Sequence, residues 1–140
     1  MTGRVRTQDG FVAAELALGV GLLLFPVAML VLTLPTWSER QAVGRAIARE
    51  VARTATISGS CDVPRAELTA ATMSRNLGLE PSDVAVDLDC LPGQLPRGGD
   101  VTANVTVRLP AVAIPALIEV GDWAWTARHT QPVDPYRSIE

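Results

Sequence analysis

The residues best placed for chemistry lie together near the N-terminus. Gly10 and Phe11 form a potential cleavage junction, and Glu15 is a lone carboxylate at the start of a long apolar run. A cut after Gly10 would give Phe11 a free α-amino group and make Glu15 the fifth residue, four positions along the same helical face. Because an α-amino group and a carboxylate carry opposite charges near neutral pH, each could neutralise the other in lipid, within one chain or between neighbouring chains.

The two cysteines, Cys61 and Cys90, are the second pair that could react. Cys90 falls on the apolar face of a predicted strand, where a buried thiol would be ordinary. Outside the cytoplasm the two could instead form a disulfide that closes a loop of about 30 residues and contributes about 3.5 kcal/mol in the chain-entropy model. We expect the disulfide, since it would join the helical region of the chain to the sheet.

Catalytic and metal-binding motifs are missing from the sequence. The single histidine, His129, is expected on an exposed part of a strand rather than as a base or ligand. Neither a Gly-x-Ser-x-Gly, a His-Glu-x-x-His nor a phosphate-loop pattern occurs. Asp87 and Asp89 lack the remaining spacing of a calcium loop. The sequence therefore predicts a protein that is not an enzyme and holds no cofactor or metal.

The element that positions Glu15 is an apolar run. Residues from Leu16 to Pro35 form a stretch of 20 without a charge, enough for a helix of about 30 Å, which matches the hydrocarbon core of a bilayer. A cleavable secretory signal would have a shorter apolar core and an Ala-x-Ala-like site. We therefore predict one membrane-spanning helix. A carboxylate inside it is costly unless it stays near the interface, where the helix macrodipole favours it, or finds a partner.

The charges around this helix predict its orientation. Arg4 and Arg6 precede the helix, whereas the stretch after it mixes Glu39 with Arg40. Basic residues are enriched on the cytoplasmic side of membrane helices. We expect the N-terminus in the cytoplasm and the chain from about Trp37 onward outside it.

Residues 36–60 are predicted to form an amphipathic helix, either as an extension of the first helix or as a new one. Pro26 could bend the first helix and Pro35 could break it, and Thr36 or Ser38 could cap a fresh start. One side of the predicted helix is apolar and the other basic, with Val43, Ile47, Val51 and Ala55 opposite Arg45, Arg49 and Arg53. An arginine face can bind anionic lipid or nucleic acid. Since the formal net charge is −3, we expect a solvated face and no nucleic-acid partner.

Residues 61–140 are predicted to form a small head domain of the α+β class. Asp62 and Gly78 are typical of the start and the end of a short helix between them. Apolar and polar residues alternate, as is typical of strands, in three segments: 84–90, 101–109 and 123–130. We expect a small antiparallel sheet with one face covered by helix. The apolar connector 110–122 either packs on the core or contacts a partner subunit.

The N-terminal residues resemble a class III prepilin signal. A short basic leader from Met1 ends in Gly10, an apolar helix follows, and Glu15 stands at the fifth mature position. With the single span, the small mixed domain and the terminal sequence 132–138, the chain resembles the TadE-like minor pilins of tight-adherence (Flp) pili. Major Flp pilins consist of little beyond the helix, so the size of the head points to a minor or accessory subunit.

The resemblance implies that a prepilin peptidase of the inner membrane cuts after Gly10 and that Glu15 pairs with the terminal amine of a neighbouring subunit. The expected partners are the peptidase, other pilin-like subunits, the membrane assembly platform and membrane lipid. The chain would act as an initiating, capping or adaptor subunit, either in the cytoplasmic membrane or incorporated in a surface pilus. Its predicted parts are a leader, an assembly helix, an amphipathic helix and the head: 1–10, 11–35, 36–60 and 61–140.

The main alternative is a signal-anchored envelope protein whose head binds or senses a ligand without polymerising. Such a protein would keep Met1 to Gly10 and stay in the membrane. An anchored hydrolase is disfavoured because the sequence lacks a catalytic set.

Overall fold

The computed structural model describes residues 9–91, 93–109, 113–114, 118–119 and 123–136. The chain divides into two compact units, Met1–Thr36 and Trp37–Glu140. The predicted leader lies outside the described residues except for Asp9 and Gly10, and so does the end of the terminal sequence 132–138.

The first helix, α1 (Asp9–Ser58), contains both Pro26 and Pro35. Of the two expected arrangements, an extension of the first helix or a new start after Pro35, the structure has the continuous helix. A proline removes one backbone donor, but the turns on either side retain their own hydrogen bonds. In an apolar stretch the backbone has no other partners for its polar groups, which favours continuing the helix.

The second helix, α2 (Val63–Asn76), begins where the sequence predicts. The carboxylate of Asp62 accepts a hydrogen bond from the backbone N–H of Arg65 at 3.2 Å, which satisfies one of the donors left open in the first turn. Beyond the end of the helix, Gly78 has a φ of +76°, a conformation that favours glycine.

The described residues form seven strands: β1 (Ser60–Cys61), β2 (Val84–Asp89), β3 (Gly93–Gln94), β4 (Asp100–Leu109), β5 (Ala113–Ile114), β6 (Ile118–Glu119) and β7 (Trp123–Pro132). The three long strands form an antiparallel sheet in the order β2-β4-β7, as the alternation of apolar and polar residues predicts. The two-residue strands pair as β1 with β3 and β5 with β6. The predicted packing of the connector 110–122 concerns side chains outside the described residues.

The register of the sheet separates an apolar face from a polar one. Val86 of β2 lies opposite Val105 of β4, which lies opposite Ala127 of β7. On the other face, the hydroxyls of Thr102 and Thr130 are 2.8 Å apart and hydrogen-bonded. One face therefore serves the core, as expected for an antiparallel sheet covered on one side.

The core lies between the apolar face of the sheet and residues of both helices. Ile47 and Val51 of α1 are almost fully buried together with valines of β4. Ala66, Ala70 and Ser74 are the buried residues of α2. The chain is thus of the α+β class, with a long N-terminal apolar helix, a second helix and small antiparallel sheets.

The last turn of α2 buries a polar side chain. Leu77 follows this turn and is 43% exposed, whereas Ser74 is fully buried. The Ser74 hydroxyl donates to the Ala70 carbonyl at 2.7 Å. The hydrogen bond within the helix satisfies the buried hydroxyl.

Candidate membrane-assembly segment

The predicted cleavage junction lies within α1. Gly10 and Phe11 both belong to this helix, and the residues before Asp9 lie outside the described part of the chain.

Glu15 is exposed on the same helix, one turn after Phe11. Its carboxylate forms no hydrogen bond or ion pair within the described part of the chain. It lies at one end of a shallow apolar groove along a single face of α1, lined by Val12, Glu15, Leu16, Gly19, Val20, Leu23 and Leu24. Gly19 leaves open space beside this carboxylate, since no other atom approaches within 4 Å of the position that a Cβ would take. The unit that contains Glu15 thus leaves its carboxylate open to an external cation.

The apolar half of α1 leaves most of its large side chains uncovered. Its leucines, valines and Phe25 from Val12 to Leu34 are 47–75% exposed, and the helix is long and apolar enough to cross a membrane. Each exposed square ångström of apolar surface costs about 25 cal/mol in water. Lipid or the apolar surface of other chains would remove this cost.

The two cysteines are bonded to each other. Cys61 ends β1 and Cys90 directly follows β2, and their Cα atoms are 6.0 Å apart in the disulfide. The bond joins the segment after α1 to the main sheet. Because disulfides persist in oxidising compartments, this bond is evidence about the compartment in which the head domain lies.

A seam between α1 and the sheet was not identified from the sequence. Gly44 allows close packing, because a Cβ there would lie 2.9 Å from Val107 Cγ2 and 3.3 Å from Trp125 Cζ3. Four residues earlier, Arg40 donates to the Asp83 carboxylate at 3.1 Å and to the Arg108 carbonyl at 2.8 Å. A glycine inside a helix, at helical spacing from apolar positions, is the signal that could have predicted this seam.

The seam continues in aromatic contacts. The rings of Trp37 and Trp123 have centroids 5.8 Å apart and planes tilted by 30°. The guanidinium of Arg45 lies over the Trp125 ring, 5.2 Å from its centroid, a distance typical of cation–π attraction. Part of the predicted arginine face thus contacts the sheet.

The remaining arginines of that face are exposed or paired within the helix. Arg53 donates two hydrogen bonds to Glu50, with distances of 2.6 and 2.9 Å. Hydrogen bonding from Arg53 lowers the pKa of the Glu50 carboxyl, and the same bond raises the pKa of Arg53. Arg49 is exposed. These contacts are those of a solvated helix surface.

The residues considered for catalysis or metal binding are dispersed in the described structure. His129 is partly buried on β7 and its Nε2 lies 3.4 Å from the Gln131 Oε1. Asp87 and Asp89 are exposed on β2. Among the described residues, no group of three His, Cys, Asp or Glu side chains could hold a metal ion.

No protein-family model, curated protein or solved structure matches this chain. Its function has to be inferred from its residues and their geometry. The two features with chemical consequences are the uncovered apolar helix that carries Glu15 and the disulfide-linked domain that follows it.

Proposed function

We propose that this chain is a minor pilin-like subunit of a tight-adherence (Flp) pilus, processed by a prepilin peptidase. The observation that carries the proposal is Glu15: a carboxylate on an uncovered apolar helix, with no partner in the described residues and one turn from Phe11. A carboxylate in lipid requires a cationic partner. The α-amino group created by a cut after Gly10 would be such a partner.

The mechanism is assembly rather than catalysis. The peptidase removes Met1 to Gly10, and the new amine of Phe11 carries a positive charge near neutral pH. Before assembly this amine lies one helical turn from Glu15 of the same chain, so the two can neutralise each other. In the fibre Glu15 pairs with the amine of a neighbouring subunit, which sets the register between adjacent helices.

The apolar half of α1 then has two successive environments. Lipid covers it in the cytoplasmic membrane, and the apolar helices of other subunits cover it in the pilus. Both environments remove the exposed side chains between Val12 and Leu34 from water. The membrane assembly platform and its motor supply the energy for the transfer.

The charges before the helix and the disulfide support the proposed orientation. Arg4 and Arg6 favour a cytoplasmic N-terminus, and the bond between Cys61 and Cys90 is typical of an oxidising, extracytoplasmic location. The amphipathic part of α1 then presents Ile47 and Val51 to the sheet and its arginines mainly to solvent. The head would act outside the membrane as an initiating, capping or adaptor surface.

The first experiment determines the N-terminal residue of the protein purified from membranes with and without a prepilin peptidase. Intact mass and terminal-peptide mass spectrometry should find Phe11 only when the peptidase is present. Gly10→Leu should block the cut, whereas Gly21→Leu is the matched control because it places the same residue in the open apolar half of α1. A leader retained in the presence of the peptidase would instead favour the signal-anchored envelope protein.

The second experiment tests Glu15 in assembly. Glu15→Ala should leave processing intact and sharply reduce the fraction of the protein found in sheared surface pili. Glu39→Ala is the control, because Glu39 is the next carboxylate along the chain and is also exposed. Normal incorporation of the Glu15→Ala protein would remove this carboxylate from the mechanism.

A further inference from the structure

Trp123 is a large aromatic residue in an exposed position. It is the first residue of β7 and is 52% exposed. Tryptophan combines a broad apolar body with one N–H donor, and it prefers surroundings that are apolar at one end and wet at the other. The interface of a membrane with water provides such surroundings.

The partner of Trp123 in α1 indicates where this interface lies. Trp37 stands two residues after Pro35, the last residue of the predicted membrane-spanning segment, and two residues correspond to about 3 Å along a helix. The rings of Trp37 and Trp123 are in contact, with centroids 5.8 Å apart. Although Trp123 is distant along the chain, it therefore lies beside Trp37, which comes shortly after the apolar run in the sequence.

Neighbouring contacts fix this arrangement. Arg40 is one helical turn after Trp37, and its guanidinium holds the carbonyl of Arg108 at 2.8 Å. Arg108 lies next to Leu109, the residue opposite Trp123 in the sheet. One turn further, Gly44 permits close contact with Val107 and Trp125. The start of β7, which carries Trp123, and the end of β4 opposite it are thus held against the face of α1 that carries Trp37.

We propose that Trp37 and Trp123 form an interfacial anchor that seats the domain Trp37–Glu140 in the headgroup region of a phospholipid bilayer. The inference rests on the membrane insertion of α1 in the proposed function. The occupant is lipid because Trp37 follows the predicted membrane-spanning segment by two residues in the sequence. A neighbouring protein subunit is the alternative that the experiment distinguishes.

The described charges near the pair predict which lipids it accepts. Arg40 is neutralised by Asp83 at 3.1 Å, and Glu39 and Arg108 are of opposite sign and exposed. The charges of these four described residues therefore balance. The attraction of the anchor to the bilayer should depend on the rings and be similar for neutral and anionic headgroups.

The test places single tryptophans in the full-length protein reconstituted in vesicles of phosphatidylcholine with brominated acyl chains. Trp37→Phe with Trp125→Phe leaves Trp123 as the reporter, and Trp123→Phe with Trp125→Phe leaves Trp37. The control replaces all three tryptophans with Phe and adds Tyr136→Trp. Tyr136 is 93% exposed and lies four residues after Pro132, the other end of β7, which is about 30 Å from Trp123 along the strand.

We expect bromines near the headgroup to quench Trp123 and Trp37 to a comparable degree. Bromines near the bilayer centre should quench both tryptophans less. Bromines at either depth should leave the tryptophan at position 136 unquenched. The quenching should persist when anionic phosphatidylglycerol is added. Quenching of Trp37 without quenching of Trp123 would overturn the anchor while leaving membrane insertion intact. Loss of quenching at both positions would contradict the anchor and the insertion of α1 together.

Two further outcomes also decide the proposal. If Trp123 is quenched only in anionic vesicles, charge rather than ring chemistry drives the contact and the anchor as proposed is wrong. If Trp123 is shielded from both brominated lipid and aqueous acrylamide, a protein neighbour covers it. If replacing Trp125 unfolds the domain, Trp123→Phe alone is compared with the native chain. The anchor then requires that brominated lipid quench a smaller share of the fluorescence in Trp123→Phe than in the native chain.

Discussion

The two halves of α1 are both rich in apolar residues but differ in what covers them. Between Val12 and Leu34 the leucines, valines and Phe25 are 47–75% exposed, whereas Ile47 is 0% and Val51 is 1% exposed. The later half has a sheet to pack against, and the described residues of the earlier half's own unit leave these side chains uncovered. The comparison shows that apolar residues of one helix serve folding where the chain supplies a partner, and it leaves the earlier half available for the association proposed above.

The largest effects are expected from two single variants, each of which places a charge in one half of α1. Ile47→Asp should largely unfold the domain Trp37–Glu140, because burying an unpaired carboxyl group costs several kcal/mol, a large part of the roughly 5–15 kcal/mol that stabilises an ordinary domain. Near-UV circular dichroism of the full chain in detergent micelles should lose its signal. A native spectrum for this variant would contradict the role of Ile47 as a core residue.

Leu24→Asp is the counterpart in the earlier half of the helix. It should leave the domain folded in detergent but reduce membrane insertion, since a central Asp costs about 2.5–3.5 kcal/mol on insertion scales. Carbonate extraction of membranes measures the inserted fraction. Equal insertion of Leu24→Asp and the native protein would count against a membrane-spanning role for this half.

Removing the disulfide should weaken only the domain after Trp37. Replacing Cys61 and Cys90 with Ser should lower its free energy of unfolding by about 3.5 kcal/mol in the chain-entropy model, because the unfolded chain loses a loop constraint. Urea unfolding of the full chain in micelles measures the change, and insertion of α1 should be unaltered. An unchanged urea midpoint would mean that the bond does not stabilise the fold.

Two glycine substitutions, one in each half of α1, test how closely each half is packed. Gly44→Ala should destabilise the domain by about 1–3 kcal/mol, since its Cβ would lie 2.9 Å from Val107 Cγ2 and overpack the seam. Gly21→Ala has open space around it and gains the helix propensity of alanine. Urea unfolding should therefore distinguish the two variants, and equal stability would contradict the close approach at Gly44.

The smallest effect concerns the surface pair of Glu50 and Arg53. Arg53 lowers the pKa of Glu50 below its ordinary value of 4.5, so the stabilisation is present above that value and is lost as the pH falls through the folded-state pKa. Glu50→Gln should be slightly less stable than the native chain at pH 7 and equal to it in strong acid. Unfolding curves at both pH values measure the difference, and a gap that widened in acid would have the wrong sign.

Local patterns predicted much of the fold. The alternation of apolar and polar residues predicted the three long strands, and Asp62 with Gly78 predicted the limits of α2 closely. The sequence left open whether the first helix continues through Pro35, and it does so because a single lost donor does not outweigh the hydrogen bonds of the neighbouring turns.

The candidate site was predictable where it depends on neighbours in the sequence. Gly10, Phe11 and Glu15 stand out by spacing alone, and their role in processing and assembly stays a prediction. Arg40 gave no comparable signal, since its partners Asp83 and Arg108 lie far along the chain. Long-range contacts depend on strand order and register, which periodicity does not specify.

The sequence by itself determined the long apolar run, the isolated carboxylate within it and the alternation of the strands, because these properties depend on residues that are close along the chain. Only the tertiary structure decided that Trp123 contacts Trp37, that Gly44 lies against Val107, and that Cys61 is bonded to Cys90. These contacts join residues that are distant in the chain, and they arise when burial of the apolar face of the sheet against α1 brings those residues together.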